Sequence, residues 1–253
     1  MSKNETRPRP FGDEPDSGEN VENAMNTVIE ANPQTIIPPP FAQANGEIVY
    51  PDSHGDDMGE SNWHYALLAY LWNALQLFFE GKPDVYIAAN MNLYYEPGRP
   101  ELYYTPDMIV AFGVANHQRK VYKLWEEKAF PQVVIEIASD RTWKEDLGGK
   151  VEAYENLGAE EYYVLDSQDF LPLPLLAYRR ENGKLRLLRL AEDKVLSPRL
   201  GLEIVLAEDG FRLFDPRKQM LLPTLSDAQS RAASAEAKVA ELLAEIAKLK
   251  SEV

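Results

Sequence analysis

Apolar residues recur at helical spacing in two stretches of this chain, one early and one at the C-terminal end. Between them the apolar runs are short and stop at Gly, Pro or Asn. Over residues 60–80, ESNWHYALLAYLWNALQLFFE, positions Trp63, Leu67, Tyr70, Leu71, Ala74, Leu77 and Phe78 fall three or four apart. That period predicts an amphipathic helix. The next runs, DVYIAANMNLYYE, LYYTPDMIVAFGV and QVVIEIAS, have the length and β-branched content of strands. A second helix is predicted from Trp143 to Leu157, with Gly158 suited to a left-handed cap. EYYVLD reads as a strand. LLAYRRENGKLRLLRL reads as a hairpin turning at Asn182-Gly183, because that dipeptide favours the positive φ of a type I′ turn. GLEIVL and GFRLFD are expected to extend the same antiparallel edge. The order helix, strands, helix, strand, hairpin predicts an α/β (α+β) domain: a mixed central β-sheet flanked by helices.

The ends of the chain differ from this middle. Residues 1–59 are rich in Pro, Asn, Asp and Glu, and NPQTIIPPPF is too proline-dense for a helix interior. This leader reads as largely extended, with a short helix possible in ENVENAMNTVIEAN and one strand at GEIVY. The domain is expected to fill 60–215, with 216–224 a linker and 225–253 a coiled-coil helix. In that last segment Leu225, Ala228, Ala232, Ala235, Val239, Leu242, Ile246, Leu249 and Val253 alternate spacings of three and four. This is a heptad seam without Pro or Gly, expected to form a homodimer. In a parallel pair, Glu245 at a g position would meet Lys250 at the partner's e position. A surface helix packed on its own domain is the plainer alternative.

Composition narrows the function classes. The chain has no cysteine, which excludes disulfides, thiolate zinc sites and cysteine nucleophiles and fits a cytoplasmic setting. No apolar run is long enough for a transmembrane helix, and the polar N-terminus lacks a secretory segment, so no membrane partner is expected. His54, His64 and His117 show no metalloprotease spacing. The net charge of −15 argues against nucleic acid. Its distribution weakens that argument: residues 1–60 hold 12 acidic and 3 basic side chains, and 61–215 hold 24 and 17.

One carboxylate stands out. Glu136 interrupts the apolar run Val133, Val134, Ile135, Ile137, Ala138, and a buried carboxylate must be neutralised, hydrogen-bonded or bound to a cation. Asp107, after Pro106, opens the apolar run Met108–Phe112. Acids on adjacent strands approach to about 5 Å, a spacing suited to Mg²⁺ or Mn²⁺. Lys150 is the nearest candidate for an electrostatic or acid–base partner, with Asp146 and Tyr154 near the same helical face. Plainer roles stay open: a structural carboxylate for Glu136, a turn residue for Asp107, and an exposed i,i+4 pair for Asp146 and Lys150. His64 reads as a packing histidine. Trp63, Tyr103, Tyr104, Trp143, Tyr162 and Tyr163 read as core or half-buried sheet residues, and Arg119, Lys120, Lys123, Arg141 and Lys144 as a solvated face.

Taken in order, TPDMIVAF, PQVVIEIASDRT and DLGGKVEAYENLGAEEYYVLD resemble the Uma-type family of restriction-endonuclease-like proteins, within the PD-(D/E)XK nuclease superfamily. The resemblance covers roughly residues 60–215. It rests on Pro106-Asp107, Glu136, Ser139, Asp146, Lys150, Tyr154, Gly158 and EYYVLD. The superfamily places a lysine two residues after the glutamate, where this chain has Ala138; the family's helix-borne lysine maps onto Lys150. The resemblance implies Asp107 and Glu136 as metal ligands, the Ile137 backbone carbonyl as a third, and an acidic residue of the first helix, for which Glu60 is the candidate. It implies a Mg²⁺- or Mn²⁺-dependent endonuclease acting on nucleic acid, expected to be DNA, with Asp107, Glu136 and Lys150 as catalytic residues. The alternative is a catalytically silent nuclease-fold protein that oligomerises through its tail. A two-carboxylate glycosidase would leave Lys150 and the strand placement unexplained.

Overall fold

The computed structural model describes residues 61–190 and 192–251. The leader's short helix, the strand at GEIVY, Glu60 and Val253 therefore lie outside the described residues. The elements run α1 (Asn62–Phe78), β1 (Val85–Ala89), β2 (Leu93–Tyr94), β3 (Tyr103–Tyr104), β4 (Met108–Phe112), β5 (Tyr122–Lys123), α2 (Leu124–Glu127) and β6 (Val133–Ile137). They continue α3 (Trp143–Leu147), α4 (Gly149–Leu157), β7 (Glu161–Leu165), β8 (Leu175–Glu181), β9 (Lys184–Leu187), β10 (Lys194–Ser197), β11 (Leu202–Ala207), β12 (Gly210–Asp215), β13 (Met220–Leu221) and α5 (Leu225–Ser251).

The central sheet is mixed, as expected, with order β1-β4-β6-β7-β8-β9. Its one parallel pair, β6 with β7, is joined by α3 and α4, since parallel neighbours need a crossover. All five residues of β6 and of β7 are buried. The pleat sorts them by side: Val133, Ile135 and Ile137 belong to one apolar cluster, and Val134 and Ala138 to the other. Glu136 therefore points to the side that holds Leu147, Tyr154 and Tyr162.

The first cluster contains α1, whose buried stripe is Leu67, Leu68, Leu71, Ala74 and Leu75. Each buried leucine contributes roughly 1.5–3 kcal/mol, more than any intrinsic helix preference along the segment. Trp63 and Leu77, expected on that stripe, are 68% and 54% exposed; they lie at its margins, and the buried face turns toward Leu68 and Leu75. The helix begins at Asn62, where the Ser61 hydroxyl accepts from the His64 amide at 3.3 Å.

Three further expectations are corrected. The GLEIVL and GFRLFD strands do not extend the central sheet. They form a separate four-stranded antiparallel sheet, β10-β11-β12-β13, which packs on α1 through Ile204, Phe211 and Leu213. The segment 216–224 is no linker: β13 pairs with β12, and Leu222 is buried in the first cluster. The helix expected from Trp143 to Leu157 breaks at Gly148, whose φ of −115° and ψ of −100° are not helical. The hairpin turn is as expected, with φ of 51° at Asn182 and 84° at Gly183. Gly158 caps α4 at φ 110°.

Past its first turn, α5 leaves the domain. Thr224 and Asp227 form a reciprocal cap, and Asp227 lies 3.4 Å from Arg212. Every described side chain from Leu225 onward is exposed.

Candidate active site

Extending the β4–β6 register, Met108 opposite Ile135, by one residue sets Asp107 opposite Glu136. Facing residues of an antiparallel pair project to the same side, so both carboxylates enter the layer beneath α3 and α4. Backbone and side chain then interlock. The Asp107 amide donates to Glu136 Oε2 at 3.3 Å, and the Ile137 amide donates to Asp107 Oδ2 at 2.7 Å. Ile137, expected to contribute through its carbonyl, thus meets Asp107 through its N–H. α1 brings His64 over the strand end, with Nε2 3.2 Å from Asp107 Oδ1.

The opposite wall comes from α3 and α4. Tyr154 donates its hydroxyl to Glu136 Oε1 at 2.7 Å. Lys150 Nζ lies 3.0 Å from Glu136 Oε1 and 2.7 Å from Asp146 Oδ1. The break at Gly148 falls between Asp146 and Lys150, yet the i,i+4 contact survives it. Tyr162 closes the floor by donating to the Asp146 carbonyl at 2.8 Å. Asp107, Glu136 and Lys150 are therefore brought together; Glu60 lies outside the described residues.

Glu136 is 1% exposed and Asp146 0%. Burial pushes the Glu136 carboxyl up to about 8; Lys150 pulls it down, while Asp107 and Asp146 push it further up. Burial likewise raises Asp146, against the pull of Lys150. Burial by itself would lower the Lys150 ammonium, but Glu136, Asp146 and Asp107 outweigh it and hold Lys150 above its ordinary range. The Tyr154 hydroxyl is raised by burial and by Glu136, so it stays protonated as a donor.

Two buried carboxylates, Glu136 and Asp146, thus share one lysine, and a third, Asp107, meets a buried imidazole. Such a set of oxygen donors with surplus negative charge fits a hard divalent cation, which binds through one or two carboxylates and keeps several waters. Among the described residues no group of three or more His, Cys, Asp or Glu side chains is placed to hold a metal ion, so Asp107 and Glu136 would have to be completed by backbone oxygen and water.

The structure revises several sequence readings around this pocket. Asp146 is not an exposed partner of Lys150 but a buried one. His64 is buried, and it does more than pack. The signal was available: 64, 67, 68 and 71 share one helical face, so a polar residue there had to enter the interior. Among the bases expected to be solvated, Arg119 stacks 4.2 Å over the Tyr86 ring and binds Glu127 at 2.6 and 2.9 Å. Arg141 and Lys144 are exposed at the head of α3.

Fold and site together give a mixed α/β protein with a buried carboxylate–lysine cluster where β4 and β6 meet. The chain belongs to the Uma2 family, described as "Putative restriction endonuclease", whose model matches residues 46–209. It is similar to the crystal structure of a "putative nuclease belonging to DUF820" from Anabaena variabilis, with 12% identity and a TM-score of 0.42, over 56% of this chain and 75% of that one. No curated protein matches the chain. Among the described residues no helix is long and apolar enough to cross a membrane.

Proposed function

We propose that this chain is a Mg²⁺- or Mn²⁺-dependent endonuclease hydrolysing phosphodiester bonds in DNA. The observation that carries the reading is the position of Lys150, whose ammonium reaches Glu136 from a helix while Asp107, on the neighbouring strand and the same face of the sheet, meets β6 at Ile137. Asp107 and Glu136 would hold the ion, with the Ile137 carbonyl as a further oxygen donor. When bound, the ion supplies an activated water and charge neutralisation at the phosphate. Tyr154 fixes the orientation of Glu136 through Oε1. His64 restrains Asp107. Lys150, fully protonated, offers N–H donors to the negative charge that develops on a phosphoryl oxygen. Arg141 and Lys144 supply cations for backbone phosphates near the pocket. The tail would hold two copies together, and the cysteine-free composition supports a reducing, cytoplasmic setting.

A second reading, a silent nuclease-fold interaction protein, is favoured by two observations: Glu136 is already engaged by Lys150 and Tyr154, and among the described residues no group of three or more His, Cys, Asp or Glu is placed to hold a metal ion. Cleavage assays separate the two. Purified protein with Mg²⁺ or Mn²⁺ is expected to cut DNA. Asp107→Ala or Glu136→Ala abolishes cutting, and Lys150→Ala slows it by about 10²–10³-fold with metal affinity nearly intact. Failure to cut any DNA or RNA across a broad panel would favour the second reading.

A further inference from the structure

We infer that α5 pairs with the α5 of a second copy in a parallel, in-register coiled coil, so that both domains leave from the same end. The helix carries an apolar face that its own domain does not cover. Val239 is 56% exposed, Leu242 46%, Leu243 61% and Ile246 48%. Such a stripe on a helix of 27 residues calls for a partner.

The heptad selects the partner and its direction. With Leu225 at a, Val239 and Ile246 also occupy a, while Leu242 and Leu249 occupy d. β-branched residues at a with leucine at d favour two parallel strands. Charge agrees. In the parallel register Arg231 at g faces Glu236 at the partner's e position, twice per dimer, and Lys238 faces the uncharged Leu243. In the antiparallel register that overlaps the seam from Leu225 to Leu249, Arg231 would face Glu245, but Lys238 would oppose its own copy, as would Glu236, and these two repulsions offset that attraction. Volume agrees too. Parallel pairing stacks Ala228, Ala232 and Ala235 on themselves, which lets the helices approach closely beside the domains; the larger residues then meet larger ones beyond.

The first turn carries this geometry into the domain. Thr224 and Asp227 cap the helix, and Arg212, anchored on the Leu222 carbonyl at 3.0 Å, reaches Asp227. A parallel pair therefore sets two carboxylate pockets on the same side of the assembly. Only that consequence rests on the nuclease reading.

The chain has no cysteine, so single introduced thiols report the geometry without background. In the full chain, Ala228→Cys and Ala235→Cys each place a thiol at d, facing its counterpart only in the parallel register. Mild oxidation is expected to link both variants as covalent dimers; linkage of one or neither overturns the proposal. Arg231→Glu is expected to weaken the dimer roughly fivefold by sedimentation, and adding Glu236→Arg to restore it. A monomer at every concentration, or no restoration, contradicts the pairing. No readout uses cleavage, so the outcome is independent of the pocket's activity.

Discussion

Glu136 shows how one residue can carry both a liability and a function. Its carboxyl is raised to about 8, first by burial, against the pull of Lys150. In the metal-free protein the folded state therefore holds a proton that the unfolded chain, with an ordinary carboxyl near 4.5, has released. Stability from that proton is fully present below the unfolded value and is lost as pH rises through the folded one. Asp146, raised for the same reason, adds in the same direction. We expect metal-free wild type to lose a few kcal/mol of stability between about pH 5 and 8. Glu136→Gln should flatten the curve there. Denaturant melts across that range in EDTA check this, and stability that rises with pH in wild type would contradict the assigned burial. The sequence announced this residue because a carboxylate inside five apolar neighbours is anomalous on its face. It could not announce Asp146: an acid four residues before a lysine looks the same whether the helix face is wet or buried, and only the packing of α3 over Tyr162 decides.

At the scale of elements, local chemistry was legible and long-range pairing was not. Asn182-Gly183 and Gly158 were readable because each needs a positive φ that few residues supply. At Gly158 the φ is 110°, and an added Cβ would meet Phe130 Cβ at an ordinary 3.7 Å. Gly158→Ala should therefore cost about 1 kcal/mol or more, through the backbone and not through a clash. A loss of several kcal/mol in denaturant melts, as for a core clash, would show that Phe130 cannot accommodate the methyl. The second sheet is not legible in the sequence because strands β11 and β12 alternate like any half-buried strand, and nothing in that period names the sheet they join. The site's own framework was clearer. Asp107 at a strand start and Glu136 mid-strand can face each other only if β4 and β6 pair, which they do. The break at Gly148 is not legible in the sequence, since two adjacent glycines inside a helical pattern do not say whether the helix kinks or ends.

The whole molecule separates into a family domain and an exposed tail, joined without a linker. Because β13 and Leu222 complete the second sheet, a chain ending after Leu222 should keep the domain folded while losing the dimer. Sedimentation at several concentrations, with a thermal melt of the same truncation, checks both halves; an unchanged mass would show that α5 does not join the copies. The central claim concerns the pocket, and a crystal soaked in Mn²⁺ tests it most directly. The expected result is an anomalous peak within about 2.0–2.4 Å of Asp107 and Glu136 oxygens, with Lys150 displaced from Glu136 and still beside Asp146. Full Mn²⁺ occupancy elsewhere, with Lys150 still bound to Glu136 and no peak in the pocket, would contradict the account.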